Sequence, residues 1–292
     1  MALVSGFEKI VRPAQPLAEC TRFKLGGTAE YFAEPNSVEE LAALVRRCCE
    51  EEVPVRVLGG GSNVLVRNEG VSGVVVRLSA PAFSEIAVDG QSINTSGGTK
   101  LATLISRAVR EGLSGLETLV GIPGTVGGAL HGNSGTHGGD IGQWTSRATI
   151  MTRAGEILQR ERDDLVFAYR QSSLDELVIL NAEFQLEEDD PEQLVKSMQK
   201  QWIVKKASQP MSHQNAGCIF KNPRGMSAGL LIEQAGLKGV KVGGAEVSQQ
   251  HANFIIAHEG ATSQDVLRLI DTVRSQVAER LGIELENEIE IW

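Results

Sequence analysis

Leu58, Gly59, Gly60, Gly61, Ser62 and Asn63 form a run in which three successive glycines precede two side chains that donate hydrogen bonds. Lacking a Cβ, glycine enters positive φ readily and lets a ligand reach main-chain N–H groups, as a pyrophosphate requires. The run is neither a Walker A loop nor a GxGxxG match, so on its own it reads equally as a phosphate cradle or a tight structural turn. A second cluster holds Gly121, Gly124, Gly127, Gly128, Gly132, Gly135, Gly138 and Gly139, with Pro123 among them. That density disfavours helix and central strand, and the segment is expected to be loop; the alternative to a ligand-facing loop is a long flexible surface loop, against which Ile122, Val126, Ala129 and Leu130 count as apolar residues to bury. Two such loops in one chain point to an extended, dinucleotide-like ligand touched at its phosphates and at its reactive ring.

Reactive groups must come from elsewhere: Arg170 in AYRQS, Cys218 in NAGCIFKNP and Glu288 in ELENEIEIW. An arginine fork suits a carboxylate, a thiol of ordinary pKa about 8.5 donates a proton near neutrality, and a glutamate polarises or relays. Each has a structural alternative: a surface ion pair for Arg170, a small buried hydrophobe for Cys218, a solvated strand face for Glu288. The remaining cysteines, Cys20, Cys48 and Cys49, show no CxxC spacing, and adjacent Cys48 and Cys49 face different sides of a helix, so neither a metal site nor a disulfide framework is expected.

The 292 residues are 41% hydrophobic and 22% charged, an ordinary globular composition, and a net charge of -9 argues against nucleic acid as a partner. Small anions remain possible ligands, because Lys205 with Lys206, Lys221 with Arg224, and Lys238 with Lys241 are basic pairs in the last third; solvated faces are the alternative. Neither a signal-like start nor a run of about 18 apolar residues occurs. The expectation is a cytoplasmic protein without membrane or obligate protein partner.

Several elements would position these groups. Ser37 and Glu40 have capping-box spacing ahead of a helix with Val38, Leu41, Val45 and Cys48 or Cys49 on one face. VPVRVL and GVVVRL read as strands, Asp89-Gly90 and Ala154-Gly155 as hairpin turns, residues 101–110 as a helix, LVILNAEFQL as a strand, and the stretch after Pro191 as a helix with Leu194, Met198 and Ile203. AGLLIEQAGL reads as a short helix, NFIIA as a buried strand, and residues from Ser263 to Gly282 as a longer helix. The alternating IELENEIEIW reads as a terminal strand. The lobes divide as 1–80, 81–209 and 210–292.

TRFKLGGTAEYF, VLGGGSNVLV, GIPGTVGGAL, AYRQS, GCIFKNP, AGLLIEQAGLKG, GGAEVSQQHANFII and LENEIEIW, in that order over nearly the whole chain, resemble the UDP-N-acetylenolpyruvoylglucosamine reductases. The resemblance implies an α+β fold: a two-lobed FAD-binding domain of the p-cresol methylhydroxylase and vanillyl-alcohol oxidase type, and a smaller α/β substrate-binding domain. It implies noncovalent FAD held by Leu58, Gly59, Gly60, Gly61, Ser62 and Asn63 and flanked by Gly121, Pro123, Gly124, Thr125, Gly127 and Gly128. NADPH would be the electron donor and a UDP-sugar enolpyruvyl ether the substrate, contacted by Asn222 and Lys238. Arg170 and Glu288 would polarise the enolpyruvyl carboxylate, and Cys218, where many members carry serine, would protonate carbon. Ile219 replaces a phenylalanine, His137 an aromatic residue, and Gln250 a lysine common in short members. With only Tyr31 and Tyr169 as tyrosines, the chain resembles the shorter subtype without an extra tyrosine-bearing loop. Another FAD oxidoreductase of this fold, or a non-catalytic UDP-sugar or flavin binder, are the competing readings.

Overall fold

The computed structural model describes residues 4–136 and 138–292. Two compact units make up the chain, each from separate stretches. One comprises the described residues of Met1–Ala14 with Glu30–Gly60 and Ser72–Ile203; the other comprises Gln15–Ala29, Gly61–Val71 and Val204–Trp292.

In the first unit, helix α1 (Val38–Glu50) starts where extended Ser37 accepts the Glu40 N–H at 3.3 Å. The reciprocal half of the expected capping box goes elsewhere: the Glu40 carboxylate accepts from the Asn36 N–H at 2.8 Å. Leu41, Leu44, Val45 and Cys48 turn inward to a core with Val74, Val76 and Phe83, while neighbouring Cys49 is exposed. Val55–Val57 runs parallel to Val71–Val76, in register Val55 to Val74, within a four-stranded sheet completed by Thr28–Ala33 and Val11–Pro16.

A five-stranded antiparallel sheet has the order Ile157–Glu161, Thr145–Met151, Val178–Gln185, Ser92–Ser96, Ile86–Asp89. Its hairpins turn at the two expected glycines, Gly90 and Gly155, both at positive φ. Helix α2 (Leu101–Arg110) buries Leu101, Leu104, Ile105 and Ala108 with Ile93, Ile150 and Phe184. The second glycine cluster is not loop throughout: it contains a short helix α3 (Val126–His131), whose N-cap Thr125 accepts the Gly128 N–H at 3.3 Å. Gly127 lies in α3 because its N–H meets the Gly97 carbonyl at 2.8 Å and a Cβ there would stand only 3.1 Å from that oxygen. Helix α4 (Pro191–Ser208) buries Leu194 and leaves Ile203 exposed.

The second unit packs α5 (Ala228–Gln234) and α6 (Ser263–Leu281) with a three-stranded antiparallel sheet of Lys241–Val242, Ala245–Val247 and Ile255–Ala257. Thr262 and Asp265 cap α6 reciprocally, and Gly282 ends it at φ 69°. Its inward Val266, Leu269, Ile270, Val273 and Val277 join the core, each such side chain contributing roughly 1.5–3 kcal/mol. The expected terminal strand is shorter than its alternation implies. Only Glu290–Ile291 is strand, parallel to Val64–Leu65, and before it a single bridge joins Asn287 to Phe220. No helix among the described residues is long and apolar enough to cross a membrane.

Candidate functional site

Within the first unit the two glycine segments meet. A Cβ on Gly59 would lie 2.7 Å from the Thr125 Oγ1, and one on Gly60 would lie 2.6 Å from the Gly124 Cα. Gly60 admits no side chain because it faces main chain, and Gly59 faces the Thr125 hydroxyl at equally short range. The Lys100–Thr125 bridge, with Leu101 N–H on the Gly124 carbonyl and Val126 N–H on that of Thr99, fixes the second segment. Gly121 and Gly124 take φ of 82° and 118°. The N–H groups of Gly59, Gly60, Gly121 and Gly124 donate to no other group among the described residues, which leaves them for an anionic ligand.

Arg170 belongs to the same unit. It sits in a two-residue loop between paired Phe167–Ala168 and Gln171–Ser172 and takes φ 56°, a left-handed conformation uncommon for a residue other than glycine. Its Nη1 donates to the Gly135 carbonyl at 3.3 Å, and its guanidinium lies 5.4 Å from the Tyr169 ring centre. Arg170 thereby meets the far end of the second glycine cluster. Buried Asn133 secures the hairpin: its Nδ2 donates to the Ala168 carbonyl at 2.8 Å, and its Oδ1 accepts the Gly142 N–H at 3.1 Å.

In the second unit, the segment bearing Cys218 runs between two others. On one side Cys218 bridges Phe254, and the side chain of buried Asn253 clasps Phe220 at both ends, accepting its N–H at 2.9 Å and donating to its carbonyl at 2.8 Å. On the other side the Glu288 N–H donates to the Ile219 carbonyl at 2.7 Å, and the Lys221 N–H to the Glu286 carbonyl at 2.8 Å. The Glu288 carbonyl accepts from Asn63 Nδ2 at 3.0 Å, and the Glu290 N–H returns a bond to the Asn63 carbonyl, also at 3.0 Å. Glu288 is thus held at its N–H by the residue after Cys218 and at its carbonyl by the residue that ends the first glycine run. His251 supports this arrangement, with Nδ1 accepting the Asn253 N–H at 3.2 Å. Burial, and next the nearby charge of Lys238, hold its imidazole below the ordinary histidine range, which favours the neutral ring that bond requires.

Asn222 and Lys238 stand apart, at opposite ends of α5. Asn222 Oδ1 accepts the Ala228 N–H at 2.9 Å, and Lys238 pairs with Glu233 at 2.8 Å. Gln250 is engaged at the last turn of α4, donating to the carbonyls of Lys206 and Ala207 at 3.3 and 2.8 Å. His137 lies outside the described residues.

Residues 29–160 match the FAD binding domain family, and residues 209–292 match the UDP-N-acetylenolpyruvoylglucosamine reductase C-terminal domain. The chain is 44% identical over 284 residues to the UDP-N-acetylenolpyruvoylglucosamine reductase 2 of Symbiobacterium thermophilum, spanning 97% of this chain and 92% of that protein. The chain belongs to the UDP-N-acetylenolpyruvoylglucosamine reductase family. The reductase of Heliobacterium modesticaldum is 41% identical over 95% of this chain and 89% of its own length. The crystal structure of the Thermus caldophilus reductase superposes with a TM-score of 0.83 at 37% identity, covering 97% of this chain and 98% of that one.

The expected fold class stands as α+β, with an FAD binding domain and a smaller reductase C-terminal domain. FAD is the group that the glycine segments of this reductase-family chain must fit. Gly59, Gly60, Gly121 and Gly124 meet that requirement, with N–H groups that donate to no other group among the described residues, whereas Gly127 and Gly128 spend theirs on the Gly97 carbonyl and the Thr125 hydroxyl. The sequence does not single out Asn133 and Asn253, which secure the Arg170 hairpin and the Cys218 segment. The one available signal was a lone amide in each of two otherwise apolar or glycine-rich stretches, ALHGNSG and HANFII.

Proposed function

We propose that this chain is the NADPH-dependent flavoenzyme that reduces UDP-N-acetyl-3-O-(1-carboxyvinyl)-glucosamine to UDP-N-acetylmuramate, a cytoplasmic step of peptidoglycan precursor synthesis. The observation that carries this reading is the fixing of the Glu288 main chain to the residue after Cys218, in a chain related along nearly its whole length to reductases of that name. Contiguous lobes 1–80 and 81–209 for FAD, and 210–292 for the substrate, are part of the same reading.

Leu58, Gly59, Gly60, Gly61, Ser62 and Asn63 would hold the FAD diphosphate, and Gly121, Pro123, Gly124, Thr125, Gly127 and Gly128 would flank the cofactor. Bound flavin supplies a hydride, taken from NADPH, to the β-carbon of the enol ether. The protein's own residues do the rest. As hydride arrives, negative charge grows on the substrate carboxylate; the Arg170 guanidinium stabilises it directly, and Glu288 does so as an acid or through its hydrogen bonds. Cys218 holds a proton on Sγ and delivers it to the α-carbon. Asn222 and Lys238 contact the UDP-sugar.

Oxidation of NADPH, followed at 340 nm with purified yellow protein, tests the reading. Turnover must depend on the enolpyruvyl UDP-sugar. Rapid oxygen consumption without that substrate would assign an oxidase instead, and binding of UDP-sugar without turnover a non-catalytic protein. Acid precipitation is expected to release the flavin into the supernatant.

A further inference from the structure

Segment 20–22 lies directly against the third glycine of the first run. Gly61 takes φ +59°, and a Cβ there would fall 2.1 Å from the Cys20 carbonyl oxygen and 2.8 Å from the Thr21 Cα. The Arg22 N–H closes the contact, donating to the Gly61 carbonyl at 2.9 Å. The Gly61 N–H itself donates to nothing among the described residues.

The Arg22 side chain is half-buried, yet its guanidinium makes no ion pair and no hydrogen bond among the described residues. This is unusual in a chain with 37 acidic and 28 basic side chains, where the more accessible Arg147 bonds both Glu161 and Glu183 and Arg160 bonds Glu176. Burial alone pushes the Arg22 pKa down, and no neighbouring carboxylate raises it. Withdrawing a guanidinium from water is unfavourable unless something restores its hydrogen bonds and balances its charge. The planar fork of arginine matches two phosphate oxygens at once.

We infer that Arg22 is a ligand-binding residue, its guanidinium engaging the diphosphate of a bound nucleotide beside Gly61. The inference rests on the flavoenzyme reading and extends it to a residue outside the glycine run. The diphosphate belongs to one of three ligands that share the group: FAD, the UDP-sugar or NADPH.

The test compares Arg22→Met, which keeps the aliphatic stem, and Arg22→Lys, which keeps the charge, with the unaltered protein. FAD is titrated into flavin-depleted protein by its fluorescence. UDP and NADP⁺ are titrated separately into the FAD-loaded protein by the change in its 450 nm band. For one of the three ligands, Arg22→Met is expected to raise Kd about 10- to 100-fold, the range for losing a charge-assisted bond to phosphate, and Arg22→Lys to recover part of it. The affected titration names the ligand. The inference is overturned if no affinity changes, if lysine and methionine behave alike, or if every affinity falls together with the denaturation midpoint, the mark of a folding defect. Should the unaltered protein bind neither FAD nor UDP, the flavoenzyme reading itself fails, which is a different result.

Discussion

Replacing Asn253 by alanine removes two hydrogen bonds from the segment that carries Cys218. Asn253 is 3% exposed and Phe220 is 1% exposed, so the Phe220 N–H and carbonyl lose their side-chain partner where water has little access. A buried polar group left unsatisfied costs about 1–3 kcal/mol, so the pair bounds the effect at roughly 2–6 kcal/mol; a water filling the vacated space would hold it near about 3 kcal/mol. That is a large share of the roughly 5–15 kcal/mol by which a domain is stable. Urea denaturation followed by far-ultraviolet circular dichroism should show a lower midpoint with an unchanged slope. Stopped-flow absorbance at 450 nm should show normal flavin reduction by NADPH and slower reoxidation by substrate, since Cys218 is displaced with Phe220. Asn253→Asp should be no better at neutral pH, because a carboxylate oxygen would face the Phe220 carbonyl. Protonated aspartic acid can donate there, so the native state of that variant should bind the proton more tightly and gain stability as pH falls. A loss below about 1 kcal/mol in Asn253→Ala would refute the assignment of both bonds.

Cys218→Ser should retain much of the activity and Cys218→Ala should lose about 10²–10⁴-fold in kcat with flavin reduction intact; the reverse ranking in steady-state assays would make the thiol a packing group. Gly60→Ala places a Cβ 2.6 Å from the Gly124 main chain, so the glycine loops must part, and the purified variant should carry less than one FAD per chain by its absorbance spectrum. Because the His251 pKa is lowered in the folded protein, the unfolded chain takes up the proton more readily below pH ~6.5. Stability should therefore fall as pH drops below that value, and His251→Gln should flatten that part of the pH–stability curve.

What the sequence revealed was largely what neighbouring residues decide. Ser37 caps α1, Gly90 and Gly155 turn hairpins, and Gly282 ends α6 through conformational preferences that act within a few residues. Distant partners decided the rest. The IELENEIEIW alternation implies a long strand, but pairing stops at Glu290–Ile291 because the available partner, Val64–Leu65, is itself short. Glycine density argued against helix around Gly127, yet Thr125 caps one there and the Gly97 carbonyl needs the missing side chain. Arg170, Cys218 and Glu288 stood out by residue type. Asn133, Asn253 and Arg22 did not, since their interest lies in carbonyls, amides and burial contributed by residues far along the chain.

The clamp on Glu288 joins positions 225 residues apart. Chain entropy must be lost before a contact of that sequence separation rewards it, so such contacts form late in folding. Asn63 and Ile219 are therefore expected to be fixed only once the segment bearing Glu288 has docked, which makes completion of this clamp one of the last cooperative events of folding rather than an early one.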